Sequence, residues 1–164
     1  ISDEKNEVLE TGGGIKKASG FFEESGEPFV VINVDILTDM NLNEMIHHHQ
    51  ELNPIATLAV TERNTSRYFL FDENNHLCGW ENIKSGEQRI SKKSNQYIRK
   101  AFSGIHIISP KIFPLIKFTG KFSMVDVYLE LAKTYIITSF DHSNSKLIDV
   151  GNPESVLKAE KIFL

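Results

Sequence analysis

Apolar positions along the 164-residue chain fall into short runs between polar breaks. FVVINV, residues 29–34, is rich in β-branched residues and holds a single Asn, which predicts a strand buried on both faces. ATLAVTE, residues 56–62, predicts a second buried strand. Between them NLNEMIHHHQELN reads at the helical period. Asn41 or Asn43 can cap it, Leu42, Met45, Ile46 and Leu52 form a partial apolar face, and Asn53-Pro54 ends it. RYFLFDE and HLCGWEN flank Asn74-Asn75 as a tight hairpin. Residues 83–97 are polar and read as irregular, AFSGIHIIS (101–109) as a strand, and Pro110 to Ile116 as a short helix. Ser123 with Asp126 resembles a capping box, Asp replacing Glu, at the start of helix SMVDVYLELAKT. ITSF and KLIDV are short strands. Asn152-Pro153-Glu154 opens a last helix, with Val156, Ala159, Ile162 and Phe163 as its buried stripe. Near the front, Thr11-Gly12-Gly13-Gly14 reads as a loop turning into a helix over about Gly14 to Phe22.

Helices alternate with buried strands through the first third, which predicts an α/β fold with parallel strands; the middle reads as antiparallel. No repeat or long linker divides the chain, so one domain is expected over residues 1–164. A net charge of −4 gives no bulk attraction toward nucleic acid or an anionic membrane. No apolar run is long enough to span a bilayer and no signal peptide is visible. The single cysteine, Cys78, excludes an internal disulfide and fits a reducing compartment, so a cytoplasmic protein is expected. Cys78 itself reads as a small core or edge residue.

Several positions bear on chemistry. Asp35 follows the buried run directly, and a charge beside a dry core needs a partner or an ion. Two readings stand open: Asp35 caps the following turn through its own backbone, or it holds a divalent cation at the carboxyl end of a strand, where ligands of open α/β sheets gather. Asp149 closes the strand LID before Gly151-Asn152-Pro153, as a turn former or as a second ligand. The glycine loop at 12–14, with Lys16 and Lys17 after it, allows close backbone approach to a ligand, yet it is neither G-x-G-x-x-G nor a Walker loop. Glu81 beside Trp80 suits sugar hydroxyls, the ring covering a sugar face and the carboxylate accepting hydrogen bonds; an exposed edge-strand pair is the plain alternative. His47, His48 and His49 fan out by about 100° per residue on a helix, so they cannot converge on one ion and read as a solvated face. Residues 84–100 hold six Lys/Arg against one acid, Glu87, the pattern of a solvated basic loop.

Taken in order, LETGGGIKKA, VINVD, ATLAVTE, GWEN, FSGIHIISP, SMVDVYLELA and IDVGNPES resemble the sugar-1-phosphate nucleotidyltransferases. That group includes mannose-1-phosphate guanylyltransferases and N-acetylmuramate-1-phosphate uridylyltransferases. The resemblance implies a Rossmann-like mixed sheet flanked by helices, a nucleotidyltransferase-type sandwich present in part. It implies transfer of a nucleoside monophosphate from a nucleoside triphosphate to a sugar 1-phosphate, with Mg2+ as cofactor and pyrophosphate as second product. It places the metal and catalytic carboxylates at Asp35 and Asp149, nucleotide contacts at Gly13 and Gly14, and sugar contacts at Glu81 and Gly104. Two departures stand out. Asn82 and Ile83 follow Glu81, where many members have Lys-Pro, so the lysine that contacts the sugar phosphate is absent there. The glycine-rich phosphate loop with its arginine, expected before this segment, does not occur in the sequence, so the chain reads as the back part of a domain, inactive or nearly so by itself. A sheet without its first strands exposes an edge, which raises the expectation of pairing with another copy. The alternative function is a non-catalytic domain that binds sugar nucleotides or holds an assembly together. A glycosyltransferase would want a D-x-D pair after the strand, which Asp35-Ile36-Leu37 does not supply.

Overall fold

The computed structural model describes residues 8–163. Its organising element is β7 (Ile98–Ile108), an 11-residue strand. β3 (Ala56–Thr61) pairs with it antiparallel along one edge, from Thr61↔Ala101 to Ala56↔Ile108. On the other edge β4 (Arg67–Phe71) pairs with its start and β1 (Phe29–Ile32) with its end. β5 (Leu77–Asn82) and β6 (Glu87–Ile90) extend the sheet beyond β4, and β8 (Ile137–Asp141) lies parallel to β3. The order is β6-β5-β4-β7-β3-β8, with β1 also on β7. The result is a mixed α/β sheet with helices on both faces, as expected.

Helix coverage explains why β3 is buried at all six residues. Leu58 and Val60 join a large core under α4 (Met124–Leu131) with Phe69, Phe71, Ile108, Ile112, Val127 and Tyr128. Ala59 faces the other way, into a smaller cluster of Met40, Met45, Ile105 and Ile107 under α3 (Leu42–Leu52). α3 begins where Asn41 Oδ1 accepts from Asn43 N, and ends at Asn53 in the left-handed region (φ 45°). A separate two-stranded ladder, β2 (Ile36–Thr38) with β9 (Leu147–Asp149), precedes α5 (Pro153–Phe163).

The structure corrects several expectations. β1 is not buried on both faces. Among the described residues it pairs with β7 alone, its residues alternate in exposure, and Val34 beyond it is fully exposed. Only Phe29 and Val31 pack inward, Phe29 stacking on Phe22 at 3.8 Å. β1 and β3 run parallel to each other but are not neighbours, because β7 lies between them; the parallel pairing among these strands is β3 with β8. The glycine segment is helical: α1 covers Glu10–Lys17, and a second short helix, α2, covers Gly20–Glu23. Gly12 and Gly13 are buried because backbone packs where a side chain would stand. A Cβ at Gly12 would lie 2.4 Å from the Phe122 ring, and one at Gly13 2.5 Å from the Gly120 carbonyl. Ser123 does cap α4, accepting from Val125 N, but Asp126 turns away to accept from Arg89 at 2.8 Å, so the box is half formed. The stripe of α5 reduces to buried Ala159 and half-buried Phe163, since Val156 and Ile162 are 44% and 40% exposed. Cys78 is a buried core residue, as read.

Candidate functional site

The site grows out of the end of β1. Asn33 N donates to Gly104 O at 2.9 Å, and Ile36 N to Asn33 O at 3.1 Å, so the chain turns sharply and carries Asp35 on the turn. β2 then pairs with β9, register Ile36↔Asp149, and Val150 N donates to Asp35 O at 2.8 Å. These bonds bring two distant stretches of sequence face to face. An ideal Cβ on Gly151 would lie 3.0 Å from Asp149 Oδ1 and 3.3 Å from Asp35 Oδ2. Both carboxylates thus close on one point. Asp35 is half-buried and Asp149 exposed, and neither has a cationic partner among the described residues. Asp149 also accepts from Gly151 N at 2.9 Å, so its turn-forming role is real as well. Two converging like charges without a counter-charge repel, and a hard cation removes that repulsion. Among the described residues no group of three His, Cys, Asp or Glu is placed to hold a metal. The pair nonetheless fits Mg2+, which takes one or two carboxylates and fills its other positions with water and phosphate oxygens.

Gly104 belongs to this corner. Its φ of +75° bends β7, and a Cβ there would meet Asn33 Nδ2 at 2.9 Å and Ile36 Cγ1 at 3.2 Å. Glycine is therefore required both for the backbone angle and for the approach of the turn that carries Asp35. Ser103 beside it shares a 2.7 Å hydrogen bond with His142 Nε2.

Glu81 lies further along the sheet. It sits opposite Tyr68 on β4, which lies level with Ala101, three residues before Gly104 on β7. Its carboxylate is buried, accepting from Arg99 Nε and, at 3.4 Å, from Gln88 Nε2. Trp80 does not share its face. Neighbouring residues of a strand point to opposite sides, and Trp80 packs against the main core. The expected ring-and-carboxylate pair around one sugar is thus not formed.

Gly13 and Gly14 lie in α1. Gly12 N and Gly13 N both donate to Phe122 O, at 3.0 and 3.2 Å, and α1 packs on α4. Lys16 is not a free charge: its Nζ donates to the carbonyls of Ile116 and Phe118 at 2.9 and 2.7 Å. In the basic stretch, Arg89 pairs with Asp126, Lys100 with Asp141 and Arg99 with Glu81. A cleft of about 480 Å3 lies at the opposite end of β3 among Pro54, Ile55, Ser109, Tyr135 and Ile136, and holds none of these residues.

The sequence reading missed a set of buried imidazoles. His49 is not on a solvated face; it is buried against Thr57 Oγ1 at 2.8 Å, and burial, with His48 nearby, lowers its pKa to about 4. His106 shares a hydrogen bond with the Tyr128 hydroxyl, and burial lowers its pKa to about 3. Desolvation also lowers that of His142. The signal was present for His49, four residues after buried Met45 on one helix face, and for His106 inside an apolar run.

No protein-family model matches the chain. It is 25% identical over 167 aligned positions to the mannose-1-phosphate guanylyltransferase catalytic subunit beta of Drosophila melanogaster, with 100% of this chain covered and 42% of that protein. It is 26% identical over 162 positions to a mannose-1-phosphate guanyltransferase of Yarrowia lipolytica, with 98% and 42% covered. The chain therefore spans about two-fifths of the length of these curated relatives. Among solved structures, HddC from Yersinia pseudotuberculosis complexed with GMP-PN superposes with a TM-score of 0.69 at 27% identity, over 97% of this chain and 64% of that one. A putative glucose-1-phosphate thymidylyltransferase from Bacillus anthracis shares the fold at 16% identity, with a TM-score of 0.70 over 98% of this chain and 62% of that one. The chain is thus similar in sequence, along its whole length, to mannose-1-phosphate guanylyltransferases, and it shares its fold with nucleotidyltransferase structures.

Proposed function

We propose that the protein containing this chain transfers a nucleoside monophosphate from a nucleoside triphosphate to a sugar 1-phosphate, releasing pyrophosphate. The observation that carries this reading is the convergence of Asp35 and Asp149 on one point with no counter-charge among the described residues. A magnesium ion at the pair would neutralise charge between two anionic substrates and orient an in-line displacement at the α-phosphorus. The chain's own residues position that pair. The β2–β9 ladder and the bend at Gly104 fix the two carboxylates. A sugar-phosphate oxygen is already ionised at neutral pH, so no general base is required. Glu81 keeps lone pairs beyond its bond to Arg99 with which to accept sugar hydroxyls. Gly13 and Gly14 serve the nucleotide through the placement of α1 rather than through a Gly13 N–H, which is taken by Phe122 O.

The test is pyrophosphate release across a panel of triphosphates and sugar 1-phosphates, using the chain alone and joined to any sequence that its reading frame places before Ile1. Turnover should depend on Mg2+, and Asp35→Asn should lower it by orders of magnitude with an unchanged melting temperature. Absence of turnover with every pair refutes the reading. One observation favours a second reading, a non-catalytic sugar-nucleotide-binding domain: the loop after Glu81 carries Asn82, whose side chain accepts from Lys84 N, in place of a phosphate-binding lysine. Calorimetric binding of a nucleotide sugar without turnover would select it.

A further inference from the structure

Arg99 is placed unlike the other cations of its segment. Its Nε donates to Glu81 Oε1, and among the described residues its two terminal nitrogens have no partner. The side chain is 61% exposed, while that of Glu81 is 8% exposed. A buried carboxylate therefore fixes one edge of the guanidinium and leaves the other edge, with its remaining N–H donors, facing solvent. This is a fixed fork, the geometry that suits an oxyanion.

The register says where the fork sits. Glu81 is level with Ala101 of β7 through Tyr68. Gly104, at the carboxylate corner, lies three residues to one side of that level, and Arg99 two residues to the other. Because the guanidinium is bonded to Glu81 at the level of Ala101, it lies roughly 10 Å from the level of Gly104 at about 3.3 Å per residue. A phosphate at the Asp35–Asp149 corner cannot also lie on Arg99. A sugar that reaches from that corner past Glu81 presents its far end, not its reacting phosphate, to the guanidinium.

We propose that Arg99, oriented by Glu81, makes the acceptor site selective for a sugar 1-phosphate that carries a second anionic group, a carboxylate or a further phosphate, away from the anomeric carbon. The inference rests on the proposed nucleotidyltransferase reading. Removing the charge costs affinity only for acceptors that own the second anion, whereas a purely structural role for Arg99 would affect every acceptor alike.

The experiment is calorimetric binding with Mg2+ present, comparing glucose 1-phosphate, glucuronic acid 1-phosphate and glucose 1,6-bisphosphate, on the wild type and on Arg99→Gln, with Mg-GTP and Mg-UTP as nucleotide probes. Arg99→Gln keeps a donor for Glu81, and Arg99→Lys keeps the charge; both melting curves check the fold. The expected result is tighter binding of the two doubly anionic sugars by the wild type and a loss of ten-fold or more for them in Arg99→Gln. Glucose 1-phosphate stays within two-fold, and Arg99→Lys recovers part of the loss. The carboxylate and bisphosphate arms show which anion is preferred. An equal loss for all three sugars, or none, overturns the role of Arg99 while sugar-phosphate and nucleotide binding keep the functional reading intact. Absence of binding by every sugar phosphate and both nucleotides overturns the functional reading and this inference with it.

Discussion

Asp149→Asn separates the two roles of that carboxylate. The amide keeps an oxygen that accepts from Gly151 N, so the turn before α5 survives. It removes one of the two charges that close on the same point near Gly151. For unit charges about 4 Å apart the repulsion is ~1 kcal/mol in bulk water and ~4 kcal/mol at an effective dielectric of about 20. Asp149 is exposed, so the lower figure applies, and salt reduces it further. Without divalent ions the variant should therefore be more stable than the wild type by about 1 kcal/mol, or roughly 2–4 °C in melting temperature for a chain of this size. Magnesium should reverse the order. A ligand at a hundred times its dissociation constant stabilises the native state by about 2.7 kcal/mol. The wild type should gain that rise and the variant should lose most of it. Thermal melts in EDTA and across a Mg2+ titration, at low ionic strength, read both effects. A variant that melts lower than the wild type in EDTA, or that gains as much from Mg2+, refutes the argument that this corner is a cation site.

Other consequences follow from packing and from the buried imidazoles. Gly12→Ala should destabilise: its Cβ meets the Phe122 ring at 2.4 Å and the Phe122 carbonyl at 2.8 Å, an overpacking cost of about 1–3 kcal/mol that exceeds the helix-propensity gain of ~1 kcal/mol. Urea unfolding should show this loss, while Gly20→Ala, with nothing within 4 Å of its Cβ, should be neutral or slightly stabilising. The folded pKa values of His49 and His106, about 4 and about 3, lie below their ordinary value of 6.5. The unfolded chain takes up these protons first, so their contribution is fully present above about pH 6.5 and is lost as pH falls toward 4. At ~1.4 kcal/mol per unit of pH for each group, stability should drop by roughly 4 kcal/mol between pH 7 and pH 5. Chemical denaturation at the two pH values measures it, and a flat profile would contradict the burial of both rings. Tyr128→Phe should cost about 1–3 kcal/mol, because it leaves a nitrogen of His106 buried without its partner.

The elements were legible where the signal is local. The cap and stop of α3, the continuously buried run of β3 and the Asn152-Pro153 start of α5 depend on residues within a few positions, and the structure has them where sequence pattern and capping predict. The errors share a cause. FVVINV looked doubly buried because a β-branched run shows strand preference, not how many neighbours the strand will have. Gly12-Gly13-Gly14 looked like a loop because glycine disfavours helices in isolation; here contact with Phe122 and Gly120 outweighs that preference. His49 looked solvated because its row of three was read without knowing which side of α3 meets β3.

By itself, then, the sequence determined most of the helices and strands, though not β2 or the strand β6 within the stretch 83–97 that reads as irregular, together with the absence of an internal disulfide and the presence of acidic residues near strand ends, since these are properties of neighbouring residues. Only the tertiary structure decided that Asp35 and Asp149 share a corner, that Gly104 bends to admit them, and that Arg99 is held by Glu81. Each of those depends on which strands pair and in what register. That register is set by long-range hydrogen bonds and core packing, which no short window of sequence contains.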